Sequence, residues 1–263
     1  MMRMTDTVKH LLIINVVVFI GALSIGQNGD IFRNLFALHF PGNDLFQPWQ
    51  ILTHMFMHAT YVETGQGTTI YFQHILFNMF ALWMFGTAVE QALGAKKFIF
   101  FYISAGLGAA LIMLATYYFK YTSGLDALVG AGIDKAQIVE TLKSGQYNTQ
   151  WQTVLGPEKL REFLSVFNAT MVGASGAIMG VLVAFGMLFP ESKLMLIFLP
   201  IPIKAKYFIP AIIGLDLFSA ITGQAIFSPD NTAYAAHLGG ALTGFIIMWY
   251  WKKNQFNNKR WDL

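Results

Sequence analysis

Six long apolar runs are the feature of this sequence that most restricts how the chain can fold. A helix needs about 20 mostly apolar residues to cross the hydrocarbon core of a bilayer. The runs are approximately Val8–Ile25, Ile70–Val89, Phe98–Phe119, Met171–Phe189, Tyr207–Ile221 and Ala233–Trp251. We therefore predict an all-α membrane protein, a bundle of six transmembrane helices that forms a single domain over residues 1–263.

The composition supports a lipid environment for most of the surface. Hydrophobic residues make up 55% of the chain and charged residues only 12%, about half of the roughly 25% that soluble domains carry. The absence of cysteine excludes disulfides, thiolate metal sites and cysteine nucleophiles. Since no dense basic patch is interleaved with aromatic residues, nucleic acid is not an expected partner.

Two long loops lie on the same side of the predicted bundle, over residues 26–69 and 120–170. The second loop is expected to contain two short helices, near Asp134–Leu142 and Pro157–Phe167, because turn-forming residues separate them. The apolar segment Leu194–Ile201 lies among prolines and is interpreted as a loop or interfacial piece.

Lysine and arginine predict the orientation. With both termini in the cytoplasm, eleven of the 17 basic residues fall on the inside. Five of the remaining six lie in the long loop 120–170, and long translocated loops largely escape the positive-inside rule. The first apolar run lacks a convincing small-residue cleavage site, so we expect it to be a retained helix.

Strongly polar residues interrupt three of the runs at a similar depth. Polar groups are costly in hydrocarbon, so each is a functional candidate. His74, Ser175 and His237 each lie about four residues from the outer end of their predicted helix, roughly 6 Å deep at 1.5 Å per residue. Asn78 lies one turn below His74 on the same helical face.

Small residues surround two of these candidates. Ser175 lies between Gly173 and Gly176, while Gly240 and Gly244 follow His237. Glycine allows membrane helices to approach closely. A serine and a histidine on different helices need such an approach to share a hydrogen bond of about 2.6–3.2 Å.

Three ordered motifs resemble one known family. They are HxxxN at His74 and Asn78, GxSG at Ser175 and AHxxG at His237. Together with the stretch PWQILTHMFMHAT in the first long loop, they resemble the rhomboid proteases over nearly the whole chain. One such motif alone is weak, but three in order are specific.

The resemblance implies a set of roles. Ser175 would attack the scissile carbonyl, His237 would act as its base, and His74, Asn78 and the Ser175 N–H would form the oxyanion hole. It implies no cofactor and no metal. Its expected partners are the lipid bilayer and membrane-protein substrates, mostly single-span. It also suggests a bacterial cytoplasmic (inner) membrane, with the active site toward the periplasm.

The chain departs from the family pattern in two places. Gln50 follows Trp49 where many bacterial relatives have arginine, and a segment around Val62–Thr69 is inserted between His58 and His74. Both departures lie in the loop that precedes the predicted site.

Several residues remain open to two interpretations. Asp216 could orient His237 as a third catalytic member, although the family works with a Ser–His dyad and a structural hydrogen bond is the simpler reading. His54 and His58 have the i, i+4 spacing of zinc ligands, but bonds to the loop backbone are the favoured role. Glu90 is expected to be solvated at the cytoplasmic end of its helix.

Two other classes of function compete with proteolysis. One is a relative without protease activity that binds membrane helices, and the other is a transporter, for which paired repeats are typical. Neither has a reason to activate a hydroxyl, so the reactivity of Ser175 discriminates among the three. The sequence does not indicate an oligomeric state.

Overall fold

Helices dominate the computed structural model, which describes residues 3–65, 67–196, 199–224 and 233–258. The helices are α1 Asp6–Ser24, α2 Asp30–Phe36, α3 Gln50–Thr53, α4 Gln73–Ala81, α5 Thr87–Leu93, α6 Ala95–Gly130, α7 Lys135–Lys143, α8 Trp151–Phe167, α9 Ser175–Leu188, α10 Ala205–Thr222 and α11 Ala233–Asn258. A 3-10 turn, His54–Phe56, continues α3, and a π-helical turn, Leu82–Gly86, joins α4 to α5. The extreme termini lie outside the described residues.

Three short antiparallel strand pairs correct the all-α prediction. They join β1 Leu38–His39 to β4 Thr170–Met171, β2 Tyr61–Thr64 to β3 Gly67–Ile70, and β5 Lys193–Leu196 to β6 Leu199–Lys204. The first pair ties the two long loops together. The second is a hairpin within the segment predicted to be inserted. The third takes up the described part of Leu194–Ile201, which was predicted to be a loop or interfacial piece, and residues 197 and 198 lie outside the described residues. A strand pair satisfies backbone polar groups of this apolar segment.

Three of the described helices are long and apolar enough to cross a membrane: α1, α6 and α10. The predicted fourth span, Met171–Phe189, is shortened to the 14-residue α9 because β4 and Gly173, with φ +122°, precede it. The predicted second span starts later, at Gln73, because β3 takes residues up to Ile70. Length and hydropathy therefore support three of the six predicted spans.

The second long loop is mostly helical. Helix α6 continues to Gly130, eleven residues beyond the predicted end at Phe119, before α7 and α8 follow. Asp134 caps α7 by accepting a hydrogen bond from the Gln137 N–H at 3.0 Å. Gly156, at φ +73° directly before Pro157, kinks α8.

Helix α9 lies at the centre of the bundle, and its residues from Gly176 to Phe185 are all buried. Neighbouring helices instead expose large apolar side chains, among them Val17, Leu111, Ile221 and Phe245. Apolar surface of this extent is unfavourable in water but suits hydrocarbon. The burial pattern therefore places the partly exposed Ser175, the first residue of α9, at one end of a lipid-compatible core.

Glu90 corrects the expectation of a solvated carboxylate. Its side chain is only 5% exposed and accepts hydrogen bonds from the Thr7 and Val8 backbone N–H groups at 3.2 and 2.9 Å. These donors lie in the first turn of α1 and have no acceptor within the helix. Glu90 therefore caps α1 and joins it to α5.

Candidate active site

Ser175 is the first residue of α9, one turn nearer the helix end than the sequence predicted. The first helical hydrogen bond runs from the Ile178 N–H to the Ala174 carbonyl at 2.9 Å. The N–H groups of Ser175, Gly176 and Ala177 therefore have no acceptor within the helix. Because the positive end of the helix dipole lies here, the position favours negative charge on a bound group.

Gly173 opens a space between Ser175 and His74. A Cβ atom on Gly173 would lie 3.1 Å from His74 Nε2 and 3.6 Å from Ser175 Oγ. With φ at +122°, the residue also has a backbone conformation that favours glycine. Its N–H donates to the His54 carbonyl at 3.0 Å, which anchors this turn to the first long loop.

Hydrogen bonds orient His74 and Asn78 near the same space. The Ala59 N–H donates to His74 Nδ1 at 3.1 Å. A neutral imidazole that accepts at Nδ1 carries its proton on Nε2, so the nitrogen nearest Gly173 is a donor. Asn78 uses one amide hydrogen to bind the His74 carbonyl at 2.8 Å, and the Asn78 amide nitrogen has a second hydrogen to donate.

Glycines bring α9 and α11 into backbone contact beside Ser175. A Cβ on Gly240 would lie 1.8 Å from the Gly176 carbonyl oxygen, and one on Gly244 would lie 2.7 Å from the Gly180 Cα. At the same level, a Cβ on Gly176 would lie 3.6 Å from the Ala236 carbonyl oxygen.

These contacts place Ser175, directly before Gly176, near His237, directly after Ala236. Over the described part of the chain, no hydrogen bond joins Ser175 Oγ to His237. Catalytic hydrogen bonds are often long in a free enzyme and shorten when substrate binds.

Asp216 on α10 contacts the His237 ring at Nδ1. Its Oδ2 lies 3.0 Å from His237 Nδ1. Both side chains are largely buried, with 12% of the Asp216 side chain and 16% of the His237 side chain exposed. Asp216 was left open as a third catalytic member or as a structural residue, and both interpretations require a hydrogen bond. The structure identifies His237 as the partner of Asp216.

The loop histidines bind protein groups. His54 Nδ1 donates to the Gln50 carbonyl at 3.0 Å, and His58 Nε2 donates to Asn15 Oδ1 at 2.8 Å. Burial lowers the pKa of His54 to about 4 and that of His58 to about 3, the latter also because of the neighbouring His74. In the described ranges, no group of three or more His, Cys, Asp or Glu is placed to hold a metal ion.

Asn15 is a site-supporting residue that sequence reasoning missed. It is fully buried in α1, and its amide donates to the Leu11 carbonyl at 2.8 Å while its oxygen binds His58. The ring of His58 in turn packs edge-on against that of His74, with centroids 5.2 Å apart. A strongly polar residue within the first apolar run was the available signal.

Gln50 organises the first long loop from a fully buried position. Its Nε2 donates to the Asn34 and Leu45 carbonyls at 3.0 and 2.9 Å, and its Oε1 accepts from the Gln47 and His39 N–H groups at 3.1 and 3.3 Å. Gln50 thus satisfies four backbone groups at the point where the resemblance led us to expect arginine.

A polar cavity of about 640 Å³ borders this region. Among its lining residues are Arg33, His58, Glu63 and Val172. Since His58 packs against His74, the cavity lies next to the space between His74 and Ser175, and its polar lining suits water.

Fold and site together describe a helical protein with membrane-length helices and a serine, histidine and asparagine group at one end of its core. The sequence pattern of the Rhomboid domain matches residues 45–134 and 141–254. The chain therefore belongs to the rhomboid family.

Similar proteins include mitochondrial members of this family. The chain is 30% identical over 194 residues to the presenilin-associated rhomboid-like protein, mitochondrial, of Homo sapiens, covering 72% of this chain and 38% of that protein. It is 28% identical over 182 residues to Rhomboid protein 1, mitochondrial, of Saccharomyces cerevisiae, covering 69% of this chain and 39% of that protein. The chain thus spans about two fifths of the length of these curated relatives.

These relatives correct the expected location. The family assignment from the three motifs is confirmed, but its bacterial type is not supported. The expectation of a bacterial cytoplasmic membrane is wrong on this comparison, because the matched relatives are mitochondrial proteins.

Proposed function

We propose that this protein is an intramembrane serine endopeptidase that cleaves transmembrane segments of other membrane proteins. Ser175 is the nucleophile and His237 its base. His74, Asn78 and the Ser175 N–H form the oxyanion hole. Single-span proteins are the proposed substrates, since one unwound helix presents a peptide bond with the least disruption of its own fold.

The proposed topology has six spans, with both termini on one side of the membrane and Ser175 toward the other. The helical path from α4 to α5, together with α9 and α11, supplies the three spans that length and hydropathy alone do not support. In this arrangement, the long loops and the polar cavity lie on the same side as Ser175. Water needed for hydrolysis enters there without crossing hydrocarbon.

The proposed chemistry follows the Ser–His template. Ser175 Oγ attacks the carbonyl carbon while His237 Nε2 takes the hydroxyl proton, and the proton then passes to the leaving amine as the peptide bond breaks. Water hydrolyses the resulting ester in the same way. Negative charge on the carbonyl oxygen is stabilised by N–H donors, and loss of one such donor typically costs about 2.7–4 kcal/mol of the barrier.

The observation that carries the proposal is the placement of Ser175 Oγ and His74 Nε2 around one glycine-lined space. Both atoms lie within 3.6 Å of the point where a Gly173 side chain would begin. An adjacent nucleophile and N–H donor are what acyl transfer needs. A helix-binding module or transporter has no use for this pairing.

Labelling by a fluorophosphonate probe tests the proposal. Purified protein in detergent is compared with Ser175→Ala, His237→Ala and the matched control Ser165→Ala, whose serine is exposed on α8. We expect wild type and Ser165→Ala to label equally, Ser175→Ala not to label, and His237→Ala to label at least about 10³-fold more slowly. Cleavage of a reporter transmembrane segment in proteoliposomes should follow the same order.

A folded wild type that neither labels nor cleaves would contradict the proposal. If it still bound the reporter segment, the helix-binding alternative would take its place.

A further inference from the structure

We infer that Asp216 is a positioning residue for His237: its carboxylate holds the ring with the proton on Nδ1 and leaves Nε2 to accept the proton of Ser175. This inference rests on the proposed function and extends its dyad by a third residue. The carrying observation is the 3.0 Å contact between Asp216 Oδ2 and His237 Nδ1, which joins α10 to α11.

The two site histidines are held in opposite tautomers. At His74, a backbone N–H donates to Nδ1, so the proton lies on Nε2 and that nitrogen can only donate. At His237, Nδ1 faces a carboxylate, which when ionised only accepts. The His237 proton therefore lies on Nδ1, and Nε2 keeps its lone pair. One ring is suited to an oxyanion hole and the other to a general base.

The surroundings leave His237 as the natural partner of Asp216. Helix α9 contains no charged residue, α10 has only Lys206 besides Asp216, and the lysines of α11, Lys252 and Lys253, are about four turns from His237. Within the described residues, the side-chain partner of Asp216 is His237. An unpaired carboxylate at a position only 8% exposed would be costly.

Asp216 is also one of the few buried residues of α10. Most of this helix is exposed, and its buried residues are Ala205, Ile209, Asp216 and Ser219. A residue that merely fills the contact with α11 could be apolar, at no desolvation cost. A carboxylate in this place directs one specific nitrogen of the imidazole.

The test compares Asp216→Asn, Asp216→Glu and the matched control Ser219→Ala with wild type. Ser219 is a buried polar residue one turn along the same helix. The asparagine keeps the shape but can donate to Nδ1 and so favour the other tautomer. We expect kcat for the reporter segment to fall about 10²- to 10⁴-fold in Asp216→Asn, by analogy with the serine-protease triad. KM should stay within about threefold, Asp216→Glu should recover part of kcat, and Ser219→Ala should match wild type.

A spectroscopic readout separates positioning from structural support. Protein with ¹⁵N-labelled histidine is measured in detergent, and His237→Gln identifies the His237 signals among the six histidines. We expect a protonated Nδ1 and an unprotonated Nε2 in wild type, and a different or mixed tautomer in Asp216→Asn. A proton on Nε2 in the wild type would overturn the inference, even if the variants failed to fold.

Folded Asp216→Asn with kcat within threefold of wild type would overturn it equally. Failure of the proposed function would look different. In that case the wild type would not label with fluorophosphonate, whatever tautomer His237 adopts.

Discussion

The two walls around Ser175 are built in contrasting ways. We call the first the loop wall, which comprises the first long loop from Asn34 to His58 and the turn at Gly173. Three of its buried polar side chains bond to neighbouring segments: Gln50 binds four backbone groups, His54 binds the α3 backbone, and His58 binds α1. Backbone and side-chain bonds therefore hold its position.

The second wall is α10. Four of its 18 residues are buried, and a Cβ on Gly214 would meet nothing within 4 Å. An apolar cavity of about 710 Å³, lined in part by Pro210, Leu217 and Phe245, lies between parts of α10, α9 and α11. Its polar tether to the site is the contact between Asp216 and His237.

The difference between the loop wall and α10 suggests that the two have different roles. The proposed oxyanion donor His74 lies beside the firmly bonded loop wall, because its ring packs against that of His58. Small displacements there would be costly in the proposed catalysis. Most side chains of α10 are not buried, so we expect this helix to open at lower cost than the loop wall. Under the proposed function, a substrate segment would meet the firmly bonded loop wall on one side and the more exposed α10 on the other.

The largest expected effect comes from Gly240→Ala, compared with Gly214→Ala. The new Cβ at residue 240 would lie 1.8 Å from the Gly176 carbonyl oxygen, so α9 and α11 must separate. We expect a loss of about 3 kcal/mol or more in the free energy of unfolding, together with loss of fluorophosphonate labelling. Unfolding by SDS titration measures the first quantity.

Gly214→Ala should be neutral or stabilise α10 by up to about 1 kcal/mol, since alanine favours helix and the site has room. Equal destabilisation by both substitutions would break the contrast between the two walls.

Gln50→Ala should have the next largest effect. The substitution leaves the carbonyls of Asn34 and Leu45 and the N–H groups of His39 and Gln47 without their partner. Each unsatisfied buried group costs about 1–3 kcal/mol. We expect a net loss of roughly 3 kcal/mol by the same titration, after partial rehydration. The exposed Gln152 is the control, and Gln152→Ala should change stability by less than about 0.5 kcal/mol. A near-neutral Gln50→Ala would show that the loop wall is not held by this side chain.

The smallest expected effect is a loss of folding stability at acidic pH. Burial lowers the pKa of folded His58 to about 3, against 6.5 for an exposed histidine. Below pH 6.5 the unfolded chain binds a proton that the folded chain does not, so stability is complete above pH 6.5 and is lost as the pH falls. Between pH 7.5 and 5.5 this one residue should account for about 1.4 kcal/mol.

The matched variants are His58→Asn, which cannot titrate, and His10→Asn at an exposed position of α1. Thermal unfolding at pH 7.5 and 5.5 should show a smaller loss of stability on acidification than in wild type for His58→Asn, but not for His10→Asn. The same acid loss in all three proteins would mean that His58 is not held neutral by the loop wall.

Much of the site could be predicted from residue type and spacing. The motifs around His74, Ser175 and His237 identified the family, and the Gly240 and Gly244 spacing indicated where α11 could approach another helix. The start of α9 could not be predicted, because an apolar Met171 reads as helix until its pairing with Leu38 is known. Glu90 was misjudged for a similar reason, since the α1 donors that bury it are over 80 residues away.

By itself, the sequence determined that most of the chain is helical and that its helices suit lipid. It also placed a serine, two histidines and an asparagine near the outer ends of three predicted helices. Hydropathy and local spacing carry that information because they depend on neighbours a few residues apart. Only the tertiary structure decided that Gln50 replaces an expected arginine by pairing four backbone groups, and that Asp216 meets Nδ1 of His237. Hydrogen bonds between distant segments depend on a direction and a distance, and both exist only once the helices have packed.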